Sequence, residues 1–196
     1  YNMLDEQAIR RRKNEPVDDI PKGEFLMVSV GSLIPRKGFE RLIHICGLLK
    51  SRGYRFHLLI LGKGELYEQL AEQVIDEHLL GSVQLLGFRD NPYPYMAAAD
   101  LYVCPSYVEG FSTVVSEAVV LETPVVTTDC SGMREILGDS EYGLITRNTE
   151  ESLFEGLRTM LDKPKVYQYY QQRVRERAPF FYMEERLKAY EEILDQ

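Results

Sequence analysis

The sequence is poor in the residues from which disulfide scaffolds and metal sites are built. It has three cysteines, Cys46, Cys104 and Cys130, which lie far apart and match no metal-binding spacing. An odd number of scattered thiols excludes a disulfide framework and fits a reduced, cytosolic protein. The three histidines fall on a predicted helix, a strand start and a helix end, where structural or solvated roles are expected. No Ser-His-Asp or Cys-His arrangement follows from the spacing.

Long apolar runs and positive charge are also scarce. No run approaches the roughly 20 residues that a membrane span requires, and the start shows no signal peptide. The chain carries 23 Lys and Arg against 31 Asp and Glu, a net charge of -8. This balance argues against nucleic acid or anionic lipid as a ligand of the whole surface, and it still allows a local basic pocket.

What remains is the composition of an ordinary globular α/β protein, with 44% hydrophobic and 28% charged residues. Residues 1–22 differ from the rest because they are polar and charged. They predict a linker or a helix arriving from a preceding domain, with the basic run at 10–13 forming a solvated face. Residues 23–196 are expected to form one domain that includes the C-terminal helices. The chain begins on Tyr1 rather than on methionine, and we expect it to be a fragment of a longer protein.

Short apolar runs alternate with segments of helical spacing from residue 25 onward. Strands are predicted at 25–30, 56–61, 83–86, 101–104, 124–128 and 143–145. Helices are predicted at 39–49, 66–74, 93–99, 113–121, 153–161 and 184–194. This alternation predicts a Rossmann-like parallel sheet with helices on both faces. Ligands of such sheets bind outside the carboxyl ends of the strands, so the loops after the strands are expected to line one crevice.

Two loops at this edge combine glycine with positive charge. The first runs from Gly31 to Gly38 and carries Arg36 and Lys37, where a phosphate could lie, although a solvated basic turn is the alternative. The second is Gly62-Lys63-Gly64, which opens like a dinucleotide fingerprint. That fingerprint fails because Tyr67 occupies its third glycine position, and a turn that merely needs glycine explains the loop equally well.

A third segment, residues 105–118, brings a strand end, a turn at Gly110 and a helix start together. Ser112 or Thr113 could cap that helix, whose free N–H groups would offer a site for a diphosphate. Glu117 lies about one and a half turns into the helix, where its carboxylate could accept two ribose hydroxyls. From the residues alone, a helix with one exposed and one capping glutamate is as good an explanation.

The same segment resembles the E-x7-E motif of the family-4 retaining glycosyltransferases, which have the GT-B architecture of two Rossmann-like halves. Glu109 and Glu117 match the two acids, with Gly-Phe after the first. The resemblance extends through most of the chain, with matching order and spacing at 36–39, 59–64, 83–88, 91–101 and 129–136. It implies that the chain is the C-terminal, donor-binding half of such an enzyme, a hexosyltransferase that is inactive as an isolated half.

The resemblance also implies roles for individual residues. Arg36 and Lys37 would neutralise the donor diphosphate in place of a metal ion, so neither a metal nor a cofactor is expected. Glu109 would contact the donor sugar, and these three residues are the catalytic candidates. The nucleotide-sugar donor would be bound by Gly31, Ser32, Gly62, Gly64, Phe88, Gly110, Phe111, Ser112, Thr113 and Glu117.

One departure from the family pattern leaves other functions open. Many relatives carry Gly-Arg-Leu where this chain has Gly31-Ser32-Leu33, so one diphosphate ligand is missing unless Arg36 replaces it. The alternatives are a non-catalytic nucleotide-binding partner of a glycosyltransferase and a GT-B sugar-nucleotide epimerase. A nicotinamide dehydrogenase is disfavoured by Tyr67. The resemblance further implies a cytoplasmic enzyme of polysaccharide biosynthesis, whose acceptor domain and contact with the inner face of the membrane belong to a half that precedes this chain.

Overall fold

A computed structural model describes residues 4–182 of the chain. Within this range one parallel sheet has the strand order β3-β2-β1-β4-β5-β6. The strands are β1 (Phe25–Val30), β2 (Phe56–Leu61), β3 (Val83–Gly87), β4 (Leu101–Cys104), β5 (Val125–Thr128) and β6 (Leu144–Thr146). The order reverses between β1 and β4, and a crevice opens at such a switch point in open parallel sheets.

Helices connect the strands and cover both faces of the sheet. They are α1 (Glu6–Arg12), α2 (Phe39–Ser51), α3 (Tyr67–Asp76), α4 (Tyr93–Ala98), α5 (Thr113–Val120), α6 (Met133–Leu137), α7 (Glu150–Asp162) and α8 (Pro164–Arg177). Two short 3-10 helices, at Pro35–Lys37 and Ala178–Phe181, also lie within the described residues. None of the helices in residues 4–182 has the length and apolar character that crossing a membrane requires.

Two apolar clusters sandwich the sheet, as expected for strands that are buried on both faces. Along β1, Met27 packs with α2, α3 and α7, whereas Leu26 and Val28 pack with α1, α4, α5 and α6. Helix α8 contributes Tyr170 to the first cluster and Val174 to the second. The predicted fold class, a Rossmann-like parallel sheet with helices on both faces, is confirmed.

Two helices in the second half of the described chain were not predicted from sequence periodicity. The pattern did not distinguish the short helix α6 or the separate helix α8, which begins at Pro164 directly after α7. The first position of a helix tolerates proline because it needs no N–H, so Pro164 can start a new helix. The helix predicted at 184–194 lies outside the described residues.

The segment before β1 packs on the domain. Asp5 caps α1 by accepting the N–H of Ala8 at 2.9 Å. Ile9, which is 3% exposed, joins the apolar cluster beneath α5. A boundary near residue 22 stays a prediction.

Candidate active site

The carboxyl ends of the strands border two adjoining cavities. The larger, of about 310 Å³, lies between the ends of β1 and β2, the loop after β3, and α5. The smaller, of about 10 Å³, lies beside the end of β4. Val30 and Val114 line both cavities, so the two are neighbours. The size of the larger cavity lies at the lower end of the range typical of small-molecule sites.

The predicted site residues divide between these cavities. The larger one brings together Gly31, Ser32, Gly62, Phe88 and Glu117. The smaller one brings together Lys37, Glu109 and Ser112. The remaining candidates line neither cavity: Arg36, Gly64, Gly110, Phe111 and Thr113.

The two glycine loops pack against each other so closely that a side chain would not fit. A Cβ atom on Gly62, whose φ is 155°, would lie 1.8 Å from the carbonyl oxygen of Gly31. A Cβ atom on Gly64 would lie 2.3 Å from the carbonyl oxygen of Leu33. Close packing therefore explains why both positions carry glycine, and Gly62 also borders the larger cavity.

Lys37 and Glu109 meet in the smaller cavity, although 72 positions separate them in the sequence. The Nζ atom of Lys37 lies 2.5 Å from Oε1 of Glu109, which also accepts the Ser106 hydroxyl at 2.6 Å. Arg36 is more loosely placed, with Nη1 3.8 Å from Oε2 of Glu109 and a side chain that is 53% exposed. Glu109 is 8% exposed, and its contact with Lys37 is therefore a nearly buried, charge-assisted one.

Arg41 supports this contact and was missed by the sequence reasoning. It is 3% exposed and donates to the carbonyl oxygens of Pro105 and Ser106, both at 2.7 Å. Its guanidinium also lies 3.8 Å from the ring centroid of Tyr107. A signal was present, because Arg41 falls at a core-facing position of α2, one turn before Ile45. A charged residue in an apolar stripe indicates a buried polar partner.

The start of α5 has the predicted cap. Ser112 is the N-cap, and its Oγ accepts the N–H of Val115 at 3.4 Å. The loop after β5 packs against the turn before the helix, since a Cβ atom on Gly132 would lie 2.8 Å from the carbonyl oxygen of Gly110. Ser112 lines the smaller cavity and Val114 lines both, so the N-terminus of α5, with the positive end of its dipole, lies at the crevice.

Glu117 faces the larger cavity from the first turns of α5. The Tyr93 hydroxyl donates to its Oε1 at 3.1 Å. Burial raises the pKa of Glu117, an effect that the hydrogen bond from Tyr93 partly offsets. Burial and the nearby Glu117 carboxylate raise the pKa of Tyr93 to about 12, so it remains a hydrogen-bond donor at neutral pH. Glu117 thus keeps acceptor positions for a ligand.

An aromatic ring marks the outer end of the larger cavity. Phe88 is 59% exposed, and the Nζ atom of Lys63 lies 4.9 Å from its ring centroid. An exposed ring at the mouth of a cavity offers a flat apolar surface, which suits a planar ligand group.

A parallel sheet with a basic loop, a helix N-terminus and paired cavities at its carboxyl edge defines the Rossmann-like half of a GT-B glycosyltransferase fold. The chain belongs to the family described as glycosyl transferases group 1, whose model matches residues 10–177. That match covers more than half of the chain.

Relatives and solved structures agree with this assignment. The chain is 37% identical over 183 residues to the N-acetylgalactosamine-N,N'-diacetylbacillosaminyl-diphospho-undecaprenol 4-alpha-N-acetylgalactosaminyltransferase of Campylobacter jejuni, covering 92% of this chain and 48% of that protein. WaaG, a glycosyltransferase involved in lipopolysaccharide biosynthesis, is 26% identical with a TM-score of 0.74, covering 89% of this chain and 47% of WaaG. HepE of Anabaena, solved in complex with UDP, is 22% identical with a TM-score of 0.74, covering 88% and 49%. The chain spans about half the length of each of these proteins.

Proposed function

We propose that this chain is the C-terminal donor-binding half of a retaining glycosyltransferase that uses a nucleotide-diphosphate sugar without a metal ion. The observation that carries the proposal is the adjacency of the two cavities. One offers an exposed ring and a carboxylate for a nucleoside, and the other holds a lysine and a glutamate. Val114, in the first turn of α5, lines both cavities. A diphosphate that bridges the cavities would therefore lie next to the N-terminus of this helix.

This placement supports the following roles for the residues. Glu117 would accept the ribose hydroxyls beside Tyr93, and Phe88 would border the base. Lys37, assisted by Arg36, would stabilise the charge of the departing nucleoside diphosphate, which is the task that a divalent cation performs elsewhere. Glu109 would face the donor sugar, since its carboxylate lies next to Lys37.

The acceptor class is proposed from the relatives. The Campylobacter jejuni relative is named for transfer to a diphospho-undecaprenol glycan, and a capsular polysaccharide glycosyltransferase of Staphylococcus aureus is 28% identical over 167 residues. We therefore propose a lipid-linked or polymeric glycan as the acceptor. It would be bound by an N-terminal domain, through which any contact with a membrane would also occur.

Calorimetric titration with UDP, GDP, ADP and dTDP in the presence of EDTA tests the proposal. We expect one of the four, with UDP first because of the HepE complex, to bind at a single site without a metal ion. Absence of binding by all four, or binding that requires a divalent cation, would contradict the proposed donor site.

A non-catalytic nucleotide-binding partner is the second candidate, and Ser32 favours it. Ser32 is exposed at the wall of the larger cavity and supplies no positive charge there. A protein that contains the N-terminal half, binds nucleotide and transfers no sugar would support this candidate.

The buried charge of Glu117 is expected to cost stability. Because burial raises its pKa, the folded chain holds this proton more tightly than the unfolded chain does. The cost to folding therefore builds up as the pH rises above the unfolded pKa and is complete once the pH exceeds the folded pKa. Glu117→Gln is therefore expected to raise the Tm at pH 7.5 by about 2 °C and to weaken UDP binding about tenfold. Scanning calorimetry at pH 7.5 and near pH 4, with UDP titrations, measures both effects.

The stability gain should shrink strongly near pH 4, where Glu117 is mostly protonated in both states. Glu72→Gln serves as the control, because Glu72 is an exposed residue in the middle of α3. If Glu117→Gln lowers the Tm at pH 7.5, the buried carboxylate is better stabilised than its surroundings indicate.

A further inference from the structure

The segment that precedes β1 contacts the loop that forms the outer wall of the larger cavity. Residues 12–19, here called the brace, contact residues 89–95. The Nη2 atom of Arg12 lies 2.8 Å from Oδ2 of Asp90 and 3.2 Å from its carbonyl oxygen. Asn91 donates from Nδ2 to the carbonyl oxygen of Arg12 at 2.9 Å and to Oε2 of Glu15 at 2.7 Å.

Asp19 provides the second attachment of the brace and uses both carboxylate oxygens. Oδ1 accepts the hydroxyl of Tyr95 at 2.7 Å, and Oδ2 lies 3.1 Å from Nη2 of Arg89. The ring of Tyr95 is buried at 3% exposure, so this attachment reaches into the core. The hydrogen bond from Tyr95 is the largest cause of the lowered pKa of Asp19, and Arg89 contributes in the same direction.

The loop at 88–93, which the brace contacts at Arg89, Asp90 and Asn91, provides much of the cavity wall. Five of its residues line the larger cavity: Phe88, Arg89, Asp90, Pro92 and Tyr93. Tyr93 also donates to Glu117, and the guanidinium of Arg12 lies 5.8 Å from the Tyr93 ring centroid. A continuous set of contacts therefore joins the brace to the proposed ribose-binding carboxylate.

We propose that Arg12 and Asp19 are positioning residues for the nucleoside end of the donor site. They hold the loop at 88–93 in its binding geometry without touching the nucleotide. This inference rests on the proposed function, because it concerns the same cavity. A loop that is already ordered loses less conformational freedom when a ligand binds, so the brace raises nucleotide affinity.

The network matters more than its separate ion pairs. An exposed pair such as Arg12 and Asp90, whose carboxylate is 92% exposed, contributes little by itself. The brace, however, contacts the loop at Arg89, Asp90 and Asn91, before the cavity-lining Pro92 and Tyr93, and again at Tyr95 after them. The expected consequence of its loss is weaker nucleotide binding with little change in global stability.

The experiment compares UDP binding by the wild-type chain with that of variants at the two attachments. Asp19→Ala removes the contacts to Tyr95 and Arg89, and Arg12→Gln removes the charge that faces Asp90. Each is expected to raise the Kd for UDP about fivefold while the Tm changes little. Asp19→Asn retains an acceptor for the Tyr95 hydroxyl and should recover part of the lost affinity.

Glu24→Ala is the matched control. Glu24 is partly buried and pairs with the exposed Arg55 at 2.8 Å, just before β1 at the amino ends of the strands. Wild-type affinity in both Asp19→Ala and Arg12→Gln overturns the inference while the proposed function stands. Equal loss of affinity in Glu24→Ala also overturns it, because the effect would then be a general one of charge. Failure of the wild-type chain to bind any nucleoside diphosphate removes the proposed function and this inference together.

Discussion

Replacing Lys37 with methionine is expected to weaken the binding of UDP about 100-fold, since a charge-assisted contact is worth about 1.5–3 kcal/mol. Lys37 lines the smaller cavity beside Val114, a residue that both cavities share. Methionine keeps most of the apolar stem of lysine. The substitution also leaves Glu109 without its partner at 2.5 Å. The Glu109 carboxylate would keep the Ser106 hydroxyl and the looser contact with Arg36, and its poorly balanced charge would repel the incoming diphosphate, which adds to the loss. Isothermal titration of both proteins with UDP measures the difference.

Lys50→Met separates this local effect from the change in net charge. Lys50 is exposed near the end of α2, and its Nζ contacts the Ser82 hydroxyl at 2.9 Å, far from the crevice. We expect wild-type affinity for this control. An affinity of Lys37→Met within about threefold of wild type, less than 1 kcal/mol, would mean that the helix N-terminus alone binds the phosphates.

The strands were predictable because their apolar composition and the glycines at their ends are both visible in the sequence. Buried parallel strands appear as continuous apolar runs, and β1 and β2 end at Gly31 and Gly62. The packing of the two loops leaves no room for a side chain at Gly62. The helix starts after β4 and β1 were predictable from their turns. In contrast, α6 spans only five residues, Met133–Leu137, which is too short to show a helical period.

The pairing of side chains within the site was less predictable. A parallel sheet places the loops after its strands at one edge, which puts Lys37 and Glu109 in the same predicted crevice. It does not indicate that the two form a contact at 2.5 Å, because that depends on side-chain rotamers. The brace was not predicted for a related reason. Asp19 contacts Arg89 across 70 positions, and the irregular segment that carries Asp19 has no periodic pattern that would indicate the contact.

The pairing of Lys37 with Glu109 leads to a second large expected effect, in which binding and catalysis change in opposite directions. In the unliganded site the Glu109 carboxylate neutralises the cation that the diphosphate needs, so donor binding must weaken or share this contact. Glu109→Gln retains an acceptor for the Ser106 hydroxyl and removes the negative charge. UDP is therefore expected to bind about fivefold more tightly to this variant. Titration calorimetry on the chain measures this gain.

Sugar transfer should respond in the opposite way. If Glu109 faces the donor sugar where positive charge develops in the transition state, its loss should lower kcat about 100-fold or more in a protein that contains both halves. Glu122→Gln is the control, because Glu122 lies just after α5 and only approaches Arg175 at 3.9 Å, outside both cavities. Weaker UDP binding by Glu109→Gln would show that the carboxylate helps to hold the diphosphate site together. Unchanged transfer would remove Glu109 from the catalytic residues and leave Lys37 and the start of α5 to carry the reaction.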